Sequence, residues 1–329
     1  MSAVSRILVL TGSMRSGTSL LGHIMQKKSD GMRAYEDLAF DNDESKRLGS
    51  VFSKLRAYTP TEASASSGLL NHDVLDAIDI PAGSLEHRIA ALREVFLSEI
   101  EQLAPKGPIP KLYGFKRTSI NHALDLITAL FDDVRVVFTV RDPRDILLSH
   151  RKRVNADMRD GNALLILAYA LSNHEMILRR QKQGKDTLVI PYERAVRYPV
   201  DVTKDILDYC SLAPEKYDFD SLLTSDVPNN SSFGAGGGLE FVKGKGITTT
   251  SIGRHKTELD ADMSSFVNYL CGHILTSNGY ETTLENVDWD PDFEPLLTAM
   301  AKRCKQLHIS LHAVEARLKE LNAPLTDLS

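Results

Sequence analysis

The stretch from Val9 to Leu21, Val-Leu-Thr-Gly-Ser-Met-Arg-Ser-Gly-Thr-Ser-Leu-Leu, has the residue types and spacing to hold an anion. An apolar run, Ile7 to Leu10, reads as a buried strand. Gly12 and Gly17 bracket a short loop, and Leu20, Leu21, Ile24 and Met25 then recur at helical spacing. Such a strand, loop and helix gather successive backbone N–H groups and a helix N-terminus around one point, where a phosphate group is stabilised. A nucleoside triphosphatase carries Lys and then Ser or Thr after the second glycine, and that lysine bridges the outer phosphates. Here Thr18 stands in the lysine position and the positive charge lies upstream at Arg15. The loop therefore suits a different phosphorylated ligand; the competing reading is a tight turn without chemistry.

A second candidate site follows a strongly apolar, β-branched run, Val134 to Val140. It reads Arg141-Asp142-Pro143-Arg144-Asp145-Ile146-Leu147-Leu148-Ser149-His150. Arg141 falls at the strand end, Asp142-Pro143 turns the chain into a helix, and Ser149 arrives near the second helical turn. Guanidinium and hydroxyl then meet one phosphate. Arg/Asp clusters are ordinarily solvated salt bridges, so the motif gains its meaning from its pairing with the altered loop.

Positioning these residues requires strands that end on one side of a sheet. Leu112 to Lys116 and Thr187 to Pro191 read as further strands. Helical spacing covers Leu85 to Leu103, Ala123 to Phe131, Ala163 to Gln183 and Met263 to Leu275. Strands alternating with helices predict an α/β fold, three layers with a central parallel sheet flanked by helices and extra C-terminal helices. Ligands of such sheets gather at the carboxyl ends of the strands, where the loop, Lys116 and Arg141 all fall.

The chain is read as one domain over residues 1–329, with a polar insertion at 41–83 and a flexible Gly-rich loop at 231–246. A C-terminal helical extension occupies 290–329, within which Leu296 to Leu321 reads as one helix-like run for packing or homo-oligomer formation. With 42% hydrophobic and 25% charged residues, disorder is not the default, and a net charge of −5 argues against general affinity for nucleic acid or anionic membranes. Cys210, Cys271 and Cys304 show no metal-binding spacing and read as buried thiols of a reducing compartment. The N-terminal apolar run is too short to span a membrane and leads straight into the loop, so a cytoplasmic location is expected.

Taken together, the two motifs resemble those of the sulfotransferases that use 3′-phosphoadenosine 5′-phosphosulfate (PAPS). The family's 5′-phosphosulfate loop, Arg-Ser-Gly-Thr-Thr/Ser-Leu-Leu, is matched by Arg15 to Leu21, and its Arg-Asp-Pro-Arg-x-x-x-x-Ser motif by Arg141 to Ser149. Val189 to Glu193 is similar to the strand-end Tyr-Glu segment, which would place Tyr192 against adenine. Ser251 to Lys256 is similar to the late Gly-Arg-Trp-Arg segment, with His255 in place of the usual tryptophan.

The resemblance implies a PAPS-dependent enzyme with adenosine 3′,5′-bisphosphate as product, a small-molecule acceptor and no metal. Arg15, Ser16, Gly17, Thr18 and Ser19 would hold the 5′ end, and Arg141, Ser149 and Arg254 the 3′-phosphate, with Lys243 as rival to Arg254. The histidine base of the cytosolic branch is missing from Phe115-Lys116-Arg117-Thr118. The pattern is that of tyrosylprotein-sulfotransferase-like members, which implies Glu36 as base and Lys116 as the cation at the leaving oxygen. His122 and His255 are rival bases, and a solvated acidic loop around Asp37, Asp41 and Asp43 is the bland reading of Glu36. A magnesium-dependent kinase or hydrolase and a non-catalytic nucleotide-binding protein are the competing functions.

Overall fold

The computed structural model describes residues 6–26, 38–41, 75–76, 80–102, 112–118, 121–224, 247–282, 287–307 and 309–321. Five strands, β1 (Arg6–Gly12), β2 (Leu38–Asp41), β3 (Leu112–Lys116), β4 (Asp133–Val140) and β5 (Leu188–Pro191), form one sheet in the order β2-β3-β1-β4-β5. Every pairing is parallel, with Leu10 opposite both Lys116 and Val137 and Val140 opposite Pro191. All strand ends therefore open toward the same edge.

Side chains of β1 alternate between the two faces, as the period of a strand demands. Ile7 and Val9 pack with Phe96 of α2 (Leu85–Gln102), Leu124 and Ile127 of α3 (Asn121–Leu130), and Met176 and Ile177 of α5 (Gly161–Lys182). Leu8 and Leu10 pack with Leu21, Ile24 and Met25 of α1 (Thr18–Gln26) and with Ala195 of α6 (Tyr192–Arg197) and Val202 and Ile206 of α7 (Pro199–Tyr209). Full burial of such side chains contributes about 1.5–3 kcal/mol each, so the central strand is anchored from both sides. The architecture is the α/β, helix–sheet–helix arrangement expected.

A further apolar cluster joins α5 to α4 (Pro143–Val154), α10 (Ala261–Ser277), α11 (Phe293–Gln306) and α12 (His312–Glu320). The short helices α8 (Phe219–Thr224) and α9 (His255–Glu258) complete the numbering. The predicted single run Leu296 to Leu321 is two helices. The Ile309 N–H turns back to the Cys304 carbonyl and ends α11, yet the apolar spacing continues because both helices bury one face in the same cluster. That buried face packs within the chain. Strand β2 has no counterpart in the sequence reading. The three cysteines are buried, and desolvation pushes each thiol up to about 12. Among the described residues no helix is long and apolar enough to cross a membrane.

Candidate active site

The loop between β1 and α1 is held by its own polar groups. The buried Ser16 hydroxyl pairs with Thr139 Oγ1 of β4 at 2.6 Å and donates to the Ser13 carbonyl at 2.7 Å, and the Ser16 N–H also reaches that carbonyl. Ser16 thus shapes the loop and ties it to β4 instead of presenting its hydroxyl outward. Arg15 adopts φ +68° and Gly17 φ +105°, both in the left-handed region. A Cβ on Gly17 would stand 2.5 Å from Cδ2 of Tyr192. Gly17→Ala therefore adds backbone strain and a ring clash, and a melting-temperature loss of several degrees is expected, equivalent to about 1–3 kcal/mol.

Thr18 and Ser19 open α1, where first-turn N–H groups have no helical acceptor. At the facing corner, Asp142 caps α4 by accepting the Arg144 N–H at 2.9 Å, and Pro143 occupies the first turn. The Asp142 carboxylate also takes Arg144 Nε and Nη2, while Arg144 Nη2 donates to the Glu281 carbonyl. The second arginine of the motif is therefore committed to structure.

Arg141 is placed differently. It is 5% exposed, makes no ion pair among the described residues, and its guanidinium lies 4.3 Å from the Tyr192 ring centroid. Nη1 donates to the Arg15 carbonyl at 3.2 Å and Nη2 to the Ser251 carbonyl, while Nε is buried without an acceptor. Arg15 Nε donates to Ser149 Oγ at 3.0 Å. The two motifs identified 126 residues apart thus share one site. Burial, then the charges of Arg153 and Arg141, lower the Arg15 pKa to about 10 against a smaller opposing effect of Tyr192. Arg15 remains cationic at neutral pH in a place where positive charge is costly, and a bound anion relieves that cost.

His150, next to Ser149, is buried; its Nε2 lies 3.1 Å from the Asn162 carbonyl and its Nδ1 has no partner. A carbonyl only accepts, so Nε2 carries a proton. Burial pushes its pKa down to about 4; the Asn162 bond opposes this, and Arg15 and Arg153 add to it. A histidine with its folded pKa depressed contributes stability that is complete above about pH 6.5 and is lost as pH falls toward 4. A slope of up to about 1.4 kcal/mol per pH unit is expected in that window. Thermal melts of the native chain and His150→Asn between pH 7 and pH 4.5 check this, with a shallower pH dependence in the variant.

The remaining expected residues divide clearly. Lys116 ends β3 half-buried, beside the strand that leads into the loop. Tyr192 opens α6 with its ring between Gly17 and Arg141. Arg254 lies on the segment that meets Arg141, but its guanidinium is paired bidentately with Glu258 at 2.7 and 2.6 Å. His255 Nδ1 is 3.0 Å from the Asp145 carboxylate. His122 falls in the first turn of α3. Glu36 and Lys243 lie outside the described residues, as do the 231–246 loop and most of the 41–83 stretch.

Three residues that the sequence reading did not single out shape the site: Thr139, Asp145 and Glu193. Glu193 accepts the Asp142 N–H and the Tyr280 hydroxyl, and burial raises its pKa against those bonds and the Arg141 charge. A capping-box reading would send Asp145 back to the Asp142 N–H. Glu193 takes that donor, so Asp145 is released to bind elsewhere.

Structural likeness extends to the sulfotransferase domain from the curacin biosynthetic pathway, at 16% identity and TM-score 0.49 over 85% of this chain and 99% of that one. Sulfotransferase STF9 from Mycobacterium avium is 12% identical, with TM-score 0.43 over 85% and 78% of the two chains. The sulfotransferase domain from the Synechococcus PCC 7002 olefin synthase is 18% identical, with TM-score 0.41 over 74% and 95%. No curated protein matches the sequence significantly. A family model described as the sulfotransferase family matches residues 8–216, well over half of the sequence and spanning both the Arg15–Leu21 and Arg141–Ser149 motifs, and the chain belongs to that family.

Proposed function

We propose that this chain transfers a sulfuryl group from PAPS to a hydroxyl or amine of a small-molecule acceptor, using its own cations where a nucleotide hydrolase uses magnesium. The observation that carries the reading is Arg141: a buried arginine with an orphaned Nε, meeting the first motif through the Arg15 carbonyl. An unpaired buried donor of this kind is costly and suits an anionic ligand. The donor set of Arg15, Arg141, Ser149 and the first turn of α1 fits a nucleotide with phosphates at two places.

When bound, PAPS supplies the activated sulfuryl group and a phosphate oxygen that leaves with growing negative charge. Arg15 and the N–H groups at Thr18 and Ser19 would hold the 5′ end, while Arg141 and Ser149, joined by Arg254 once it leaves Glu258, would select the 3′-phosphate through fixed donors. Lys116, half-buried at the end of β3, would offer its positive charge to the leaving oxygen, and Glu36 would take the acceptor proton. Tyr192 packs on Gly17 and Arg141 and offers its remaining surface to the base of the nucleotide.

Transfer of labelled sulfate from PAPS to a panel of phenols, alcohols and amines, with EDTA present, tests the reading. Labelled product is expected. Magnesium-dependent ATP turnover in its place would establish the kinase or hydrolase reading, and donor binding with no transfer to any acceptor would favour the non-catalytic one.

A further inference from the structure

Residues 251–258 contribute a backbone carbonyl, that of Ser251, to the Arg141 guanidinium. None of them is buried. A cavity of about 440 Å³ is lined by Ile252, Gly253, His255 and Lys256 together with Asp142, Arg144 and Asp145. Apolar packing therefore does not fix this segment; the Arg254–Glu258 pair is internal to it, and the Lys256–Glu281 pair at 2.8 Å lies on the exposed surface, where such pairs hold little.

Its other buried hydrogen bonds to the body of the chain converge on one carboxylate, with the Asp142 carboxylate 3.7 Å from His255 Nδ1. Asp145, 1% exposed in the first turn of α4, accepts the Gly253 N–H at 2.7 Å and the His255 N–H at 2.9 Å, with His255 Nδ1 at 3.0 Å. The ionised carboxyl can only accept, so Nδ1 carries the imidazole proton and the tautomer is set. Gly253 reaches its place with φ +70°. Burial opposes ionisation of Asp145, but the His255 side chain and backbone, the Arg141 charge and the Gly253 N–H outweigh it and hold its pKa below the ordinary value. Charge-assisted bonds of this kind are about twice as strong as neutral ones.

We infer that Asp145 and His255 are positioning residues, a latch that sets the 251–255 segment across Arg141 and thereby determines how strongly the chain prefers a 3′-phosphorylated nucleotide over one phosphorylated only at the 5′ position. Neither side chain needs to touch the ligand. Ser251 and the Arg15 carbonyl together orient the Arg141 guanidinium, and freeing the segment removes one of those two acceptors. The 5′-end loop is untouched by the change. The inference rests on the donor assignment above.

The test is isothermal titration of adenosine 3′,5′-bisphosphate and of 5′-AMP into the native chain, Asp145→Asn, His255→Phe and His255→Asn, with a melting curve for each. The native chain is expected to prefer the bisphosphate. In Asp145→Asn and His255→Phe, bisphosphate affinity should fall by roughly tenfold or more while 5′-AMP affinity changes less than about twofold. His255→Asn keeps an N–H near the position of Nδ1 and should recover most of the loss. A merely structural role would weaken both nucleotides together. Parallel loss, or unchanged preference in both disruptive variants, overturns the latch, and if Asp145→Asn does not fold the two His255 variants decide it. A native chain without preference for the bisphosphate overturns the donor assignment itself.

Discussion

Arg141→Ala is expected to abolish measurable sulfuryl transfer at ordinary donor concentrations, with kcat/KM lowered by roughly a thousandfold. Truncating one partner of a buried, hydrogen-bonded charge interaction costs about 2–5 kcal/mol, and Arg141 combines burial, an unpartnered Nε and a carbonyl bond to the opposite motif. The loss should appear mainly as weaker binding of adenosine 3′,5′-bisphosphate. Arg141→Lys keeps the charge but not the planar fork, so it should recover only part of the affinity. Equal affinity in native chain and Arg141→Ala would remove Arg141 from the donor site. A melting curve separates this effect from stability, since Arg141 also braces the Arg15 and Ser251 carbonyls.

Glu36→Gln is expected to lower kcat by roughly 10²–10⁴-fold, the range a positioned general base supplies, with donor affinity nearly unchanged. His255 competes for this role in the sequence. In the structure its Nδ1 is committed to Asp145, which suits it to holding the 251–255 segment. His255→Phe should therefore raise the donor KM while retaining most of kcat, whereas Glu36→Gln should do the reverse. Full turnover in Glu36→Gln together with loss of kcat in His255→Phe or His122→Ala would move the base to a histidine. Lys116→Ala should also act on kcat, by roughly 10²–10³-fold, as for removal of one preorganised donor to a leaving oxygen.

Much of the framework that carries the two motifs was legible because its signals are local. Gly12, Gly17 and the apolar spacing after them announce a strand, a loop and a helix, and Asp142-Pro143 announces a helix start that the structure places at Pro143. Parallel pairing was also legible, since alternating strands and helices leave few other topologies. Strand β2 was not: it is four residues long, pairs only with β3 at the sheet edge, and lies beside an acidic stretch that reads as loop. Leu307 to Leu311 hid the break between α11 and α12, because no Gly or Pro interrupts the apolar spacing there.

The part that escaped the sequence depends on partners far apart in the chain. Asp145 meets Gly253 and His255 across about 110 residues, and nothing in the local pattern distinguishes it from an ordinary helix-start acid. Ser16 reads as a ligand hydroxyl until Thr139, on a different strand, is seen to hold it. Arg144 has the same residue type as Arg141, and only its two side-chain hydrogen bonds to Asp142 and its contact with the Glu281 carbonyl show that it is structural. Residue type was visible in each case, whereas allocation of donors and acceptors required the fold.

The most direct measurement of the central claim is a crystal structure of the chain with adenosine 3′,5′-bisphosphate bound. The 5′-phosphate is expected on the N–H groups from Gly17 to Ser19 with Arg15 beside it, and the 3′-phosphate within hydrogen-bonding distance of Arg141 and Ser149. A nucleotide whose 3′-phosphate points into solvent, with Arg141 making only the contacts to Arg15 and Ser251, would contradict the account.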